Sequence, residues 1–320
     1  MARIKSTKII NGESISSGGE RPEAKLPGYT TKYLTITQWG ANVTDTASLA
    51  EILAGFGTIE LSVQGLGTPV KWDADDLFYF NRDVIPGRYP FVSGTLATTA
   101  DNQMRYVSLV LPLCPLLPEQ GGMFDPRWGI PKGMDATISV DMGTDTAAGM
   151  DARSLTVTAV GVEGDSPTHF MGSFLKSFTS VLQDNFQKVS ANKTEALLGA
   201  YLFTTTGLED ITSTDDPGVR DIGYAVSGSP RERFDAAGLL GLRQNIYAWP
   251  VRHTHAGVCT AGENTAVVSA ASAAGVSDYY FADFGMTVGG VPYETDLEVH
   301  MIAEVAEAFR LYPILAHRLA

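Results

Sequence analysis

Apolar and polar positions alternate in short bursts along this chain, and the bursts fall into two sets. Tyr33-Leu34-Thr35-Ile36-Thr37 alternates strictly, and so does Gly57-Thr58-Ile59-Glu60-Leu61-Ser62-Val63. That is the pattern of strands with one buried face. Met104 to Leu113 is a longer apolar run bounded by turn residues, as expected of a strand buried on both faces. Ala136 to Met142 alternates again, and Leu155 to Val160 follows after a turn rich in Gly and Asp. Ser48 to Ala54 reads as a brief helix, and Trp72 to Phe80 holds an aromatic cluster. Roughly eight short strands in about 130 residues is the spacing of a sandwich or barrel.

Residues 168–190 break the pattern. Phe170, Phe174, Leu175, Phe178, Val181 and Leu182 recur at intervals of three and four, which predicts an amphipathic helix linking two β-domains. A lipid-facing helix is the alternative. Strand patterns then resume at Leu197–Thr205, Ile222–Ser227, Leu239–Ala248, Tyr279–Val288, Asp296–Ile302 and Phe309–Leu315. Ala303 to Ala308 reads as a turn or a short helical bend. Residues 1–32 are polar and are expected to form an arm with little core of its own. The resulting division is an arm at 1–32, a first barrel at 33–167, a linking helix at 168–192 and a second barrel at 193–320.

The two halves correspond. Ile59, Val63 and Gly65 precede Pro69 and Trp72-Asp73-Ala74, while Ile222, Val226 and Gly228 precede Pro230 and Phe234-Asp235-Ala236. The I-x-x-x-V-x-G spacing is identical, and one residue of slack restores register at the aromatic-Asp-Ala step. Ala136, Ile138 and Val140 match Leu297, Val299 and Met301 at a constant offset of 161. Ile59, Val63, Gly65, Trp72, Ile222, Val226, Gly228 and Phe234 are therefore the repeat-core positions of a duplicated domain. Two unrelated β-domains with shared strand statistics are the competing explanation.

Composition narrows the function. The formal charge of −13 argues against a protein that coats nucleic acid, which needs a basic footprint to displace counterions. Only the first eight residues run the other way, with Arg3, Lys5 and Lys8 and no acid among them. The two cysteines, Cys114 and Cys259, write no disulfide framework. No apolar run is long enough for a membrane-spanning helix, and no apolar segment behind the basic start suggests a secretory signal.

With 33 glycines, 16 prolines and 44% apolar residues, the paired segments resemble the double jelly-roll major capsid proteins of tailless icosahedral viruses of bacteria and archaea that carry an internal membrane. The resemblance covers roughly 33–320. It implies an all-β chain of two tandem eight-stranded jelly-roll barrels, three copies of which form a pseudo-hexagonal trimer that tiles an icosahedral shell. It implies self-association as the main partnership, with penton or minor capsid proteins and internal membrane lipid as further partners, and a virion location after synthesis in the host cytoplasm. Arg3, Lys5 and Lys8 become candidates for an inner-surface, membrane-facing arm; a solvated tail is the plain alternative. Segments 81–103, 118–134 and 250–278 become candidate outward or inter-subunit loops.

No catalytic constellation competes with this reading, and none of the nucleophile-elbow, phosphate-loop, zinc-protease or dinucleotide motifs occurs. Gly164-Asp165-Ser166 is similar to one esterase nucleophile block but has no supporting blocks. His253, His255, Cys259 and Glu263 fail the cupin spacing and read as an ordinary polar loop before a metal site. Asp141, Asp145 and Asp151 lack the EF-hand order. Catalytic, cofactor and metal residues are accordingly none. The rival classes are a carbohydrate-binding or carbohydrate-active β-sandwich, with Trp39, Trp72, Trp128 and Trp249 as stacking candidates, and a viral spike or tail component.

Overall fold

The computed structural model describes residues 3–15, 19–42, 49–84, 91–92, 104–115, 125–144, 150–189, 195–204, 219–235, 279–284, 290–292, 296–304, 306 and 308–319. The expected strand at 239–248 lies outside these residues, as do Ala236, Trp249, His253, His255, Cys259, Glu263, Asp145 and the segment 250–278. The chain divides into two compact units, Met1–Phe174 with His317–Ala320, and Leu175–Ala316.

The first unit contains β1 (Arg3–Ile15), β2 (Glu23–Lys25), β3 (Thr30–Asn42), α1 (Leu49–Ala54), β4 (Phe56–Val63), β5 (Gly67–Asp73), α2 (Ala74–Val84), β6 (Phe91–Val92), β7 (Met104–Pro112), β8 (Ala136–Met142), β9 (Met150–Glu163) and β10 (His169–Phe174). One sheet has the order β1-β9-β3-β7-β6, and a second path runs β10-β5-β4-β8-β2. Alternation sets the core directly. Leu34 and Ile36 of β3, Leu109 and Leu111 of β7, and Val157 and Ala159 of β9 are wholly buried, as are Ile59, Leu61, Ile138 and Val140 of the other sheet. Trp72 lies against Phe80 of α2 with ring centroids 4.8 Å apart, so the aromatic cluster read from the sequence joins a strand to a helix. Asp75 and Asp76 occupy the first turn of α2, where acids favour the positive end of the helix dipole. Asn81 fastens α2 to β7: its Nδ2 donates to the Val110 carbonyl (2.7 Å), and the Val110 N–H donates to its Oδ1 (2.6 Å).

The second unit contains β11 (Lys176–Thr179), β12 (Gln183–Lys188), β13 (Glu195–Thr204), β14 (Val219–Val226), β15 (Ser229–Asp235), β16 (Tyr279–Asp283), β17 (Val291–Pro292), β18 (Leu297–Ala303) and β19 (Ala308–Arg318). β12-β18-β14-β15 form one sheet; β16, β13 and β19 run side by side in another, where β11 adds to β19 and β17 to β13. β18 is buried at every position.

Setting aside the two-residue β6 and β17 and the strand β10, which pairs in parallel with β5, each unit has eight strands among the described residues, connected in the same way. The first pairs with the eighth, the eighth with the third and the third with the sixth; the second pairs with the seventh, the seventh with the fourth and the fourth with the fifth. That wrapping, carried by two facing sheets, is the jelly roll. It occurs twice.

Two expectations need correction. Residues 168–189 form no linking helix; they contain β10, β11 and β12. The spacing misleads because Phe170, Phe174 and Phe178 are four apart, and four is a multiple of the strand period as well as near the helical one. Their backbone groups are claimed by neighbouring strands: Phe178 is paired with Phe309, and Gln183–Lys188 run along β18. Val181 and Leu182, counted as part of the apolar stripe, are about 60% exposed. The expected arm is likewise structured, since Arg3–Ile15 pairs along β9 and Glu23–Lys25 along β8. These are the first and second strands of the first roll. Side chains exposed on both faces of β1 hid them from a pattern based on alternation.

Candidate functional site: the repeated element and the basic strand

The repeated residues meet in equivalent places. Across the β4–β5 hairpin Ile59 faces Trp72, and across β14–β15 Ile222 faces Phe234. On the other side Ile59 faces Val140, Leu61 faces Ile138 and Val63 faces Ala136. In the second roll Ile222 faces Met301, Tyr224 faces Val299 and Val226 faces Leu297. The correspondence drawn between sequence segments is thus a correspondence of strand register. It extends to a strand with no sequence signal, for Lys25 opposite Thr137 is matched by Lys188 opposite Glu298. The single residue of slack lies in the turn. Gln64, Gly65 and Leu66 separate the paired Val63 and Gly67, whereas only Ser227 and Gly228 separate Val226 and Ser229.

Ile59, Val63, Trp72 and Ile222 are buried, while Val226 and Phe234 are half-buried. Gly65 and Gly228 are exposed and belong to the turns, with φ of +85° and +73°. Their repetition follows from backbone conformation, because a side chain in the left-handed region costs about 1–2 kcal/mol.

Arg3, Lys5 and Lys8 lie on β1, an edge of its sheet. Arg3 and Lys8 are exposed, and Lys5 pairs with Glu163 of β9 at 3.3 Å. The three cations share this edge strand, with Arg3 and Lys5 on one face and Lys8 on the other. Ile4 between them is 54% exposed.

Polar groups inside the rolls are structural. Lys32 is fully buried: its ammonium contacts Asp165 (2.7 Å) and donates to the carbonyls of Asp125 (2.8 Å) and Trp128 (2.5 Å). Lys32 thus ties the 125–130 segment to β3, and Asp165, the centre of the esterase-like triplet, is its counter-charge. The signal for this was legible, since Lys32 and Gln38 occupy the inward phase of Leu34 and Ile36. Buried Arg153 donates to the Gln38 Oε1 (3.3 Å) and to the carbonyls of Gly55 (3.0 Å) and Gly143 (2.5 Å). The Arg127 guanidinium hydrogen-bonds Asp125 and holds its carboxyl below the usual range. Burial, aided by Arg318 and Arg127, depresses the His169 imidazole. In the second roll His300 is fully buried and meets Asp184 at 2.6 Å. Asp141 lies 3.5 Å from Arg21, and Asp151 accepts the Ala152 N–H. Among the described residues no group of three or more His, Cys, Asp or Glu is placed to hold a metal. No helix among them is long and apolar enough to cross a membrane. Of the tryptophans proposed to stack on sugars, Trp72 is core and Trp39 is 39% exposed.

Strand order and register together define the chain as a double jelly-roll protein. Solved structures share this fold over nearly its whole length. The STIV MCP matches with a TM-score of 0.65 at 10% identity, over 98% of this chain and 96% of that one. The major capsid protein P2 from bacteriophage PM2 matches with a TM-score of 0.61 at 11% identity, over 99% and 98%. The PBCV-1 virus capsid matches with a TM-score of 0.56 at 8% identity, over 98% and 93%. No family model matches the chain, and no curated protein sequence matches it.

Proposed function

We propose that this chain is the major capsid protein of an icosahedral virus, with a structural role and no catalytic one. Its copies associate as trimers, and the trimers tile the shell. The observation that carries this is the presence of two jelly rolls of identical strand order in one chain, in a fold whose similar solved structures are capsid proteins along their full length. The physical rationale is symmetry. Three copies of a two-roll chain present six similar rolls, and six similar units tile a plane that three dissimilar ones do not. Penton and minor capsid proteins complete the shell at its vertices and seams. The basic strand edge at Arg3, Lys5 and Lys8 faces inward, toward anionic internal membrane lipid. The protein then resides in the virion after synthesis in the host cytoplasm.

Sedimentation of the purified chain tests the reading. It should give a species of three times the 34.2 kDa chain mass, which passes to sheets or shells as concentration rises. A monomer at every concentration and salt would refute it.

A further inference from the structure

We propose that the outward face of the β9–β3–β7 sheet in the first roll is a contact surface for a second copy of this chain. The inference rests on the shell-forming reading and adds to it the face through which copies meet.

Inward side chains of these strands make the core, and the outward ones are uncharged across the middle of the sheet. β3 presents Thr35, Thr37 and Trp39. Opposite them stand Val110, Ser108 and Tyr106 of β7, with Thr37 Oγ1 and Ser108 Oγ 2.9 Å apart. On the other flank Thr158 and Thr156 of β9 face Thr35 and Thr37. All of these are half-buried except Trp39, which is 39% exposed; Met104 beside it is 48% exposed. Charge returns only at the margins, with Lys8 on the edge strand and Asp151 where β9 begins. An uncharged centre containing Trp, Tyr and Met inside a charged rim is the composition of a protein contact surface.

The second roll supplies a comparison within the molecule. Its corresponding strands, β13 and β19, are buried on both faces: Leu197 and Tyr201 on one side of β13 and Leu198 and Leu202 on the other, with Leu311 and Tyr312 adjacent on β19. The same sheet in the first roll is covered on one face and half-open on the other.

A second copy is the occupant that the charges select. A chain of net charge −13 repels its own copies, and repulsion is least where facing surfaces carry no charge. Nucleic acid or an anionic membrane would instead require basic side chains, which this face lacks at its centre.

The test places like charges in the middle of the face. Thr35→Glu combined with Thr37→Glu places two carboxylates at half-buried outward positions of β3 and leaves the inward core side chains unchanged. Both positions lie away from Lys8, which stands opposite Thr158. In sedimentation of the full chain, the trimer should weaken on the order of a hundredfold, as expected for an unpaired charge trapped in an interface, leaving mainly 34.2 kDa monomer. Ser62→Glu, an exposed position on β4, should leave assembly unchanged. Hydroxyl-radical footprinting of the unaltered protein gives a second readout: oxidation of Trp39, Met104 and Tyr106 should fall several-fold on assembly. A wild-type trimer whose Thr35/Thr37 variant also trimerises, or whose footprint at these residues is unchanged, would overturn the assignment while sparing the shell-forming reading. So would equal dissociation by Ser62→Glu. An unaltered chain that never assembles would instead sink the function itself.

Discussion

At the scale of single residues, the rolls are held in part by buried charged groups such as Lys32, paired with Asp165. Removing Lys32 leaves Asp165 without its counter-charge and two carbonyls without a donor. Lys32→Ala should therefore cost about 3–5 kcal/mol of stability, as is usual when one member of a buried pair is deleted; denaturant titration measures it. Ile59 and Ile222 sit at equivalent crossings in the two rolls and are wholly buried. Each Ile→Ala change should cost about 2–5 kcal/mol, and comparable losses in the two are expected from comparable packing. Glu60 adds a pH dependence. Lys71, at 2.8 Å, and then Arg21, at 2.5 Å, hold its carboxyl below the ordinary value of 4.5. A depressed carboxyl stabilises fully above its unfolded pKa and loses that contribution as pH falls through its lower folded value. Glu60→Gln should therefore be less stable than the unaltered chain at neutral pH, and the gap should close on acidification below about 4.5. A gap constant with pH would show that the two cations do not bind this carboxylate.

At the scale of elements, what could be read from sequence depended on whether a strand has two chemically different faces. β4 and β8 have them, and their alternation located them to within a residue or two. β7 reads as an apolar run expected to be buried on both faces, but Val107, Leu109 and Leu111 are buried while Tyr106, Ser108 and Val110 are half-buried. β12, whose sequence is Gln-Asp-Asn-Phe-Gln-Lys, buries one side chain and left no apolar trace. β2 has only three residues. Such strands exist because their neighbours offer unpaired backbone, a fact of tertiary structure that no local window contains. α2 had a legible signal in its acidic first turn and the aromatics that follow, yet the same aromatics suit a strand. The repeat was the most readable feature because it compares the chain with itself, so biases shared by both halves cancel. It makes a prediction about turns. The Ser227-Gly228 turn holds both residues at positive φ, +50° and +73°, the two-residue geometry that fits the twist of a hairpin. Gly228→Val should cost about 1–2 kcal/mol, readable as a lower thermal midpoint, whereas Ser227→Asn should be neutral or stabilising.

At the scale of the whole molecule, a duplicated jelly roll makes sense as geometry before it makes sense as chemistry. Two rolls of one strand order give a single gene product two nearly interchangeable building units, and an odd-numbered ring of chains then presents an even-numbered ring of rolls. Among the described residues, buried Lys32, Asp125 and His300 each have an internal partner, in Asp165, Arg127 and Asp184, which suits a scaffold. Its basic residues Arg3, Lys5 and Lys8 lie on one edge strand. Charge reversal at Arg3 and Lys5, which stand opposite Glu163 and Gly161, should weaken binding to vesicles containing anionic lipid while leaving trimer mass unchanged. Vesicle flotation of Arg3→Glu/Lys5→Glu protein checks this, and undiminished binding would remove β1 from the inner surface. The central claim is tested most directly by electron cryomicroscopy of the assembled particles. The account predicts capsomers in which three chains supply six roll-shaped densities. Capsomers built from six separate chains, or a preparation that holds only 34.2 kDa monomers under every assembly condition, would contradict it.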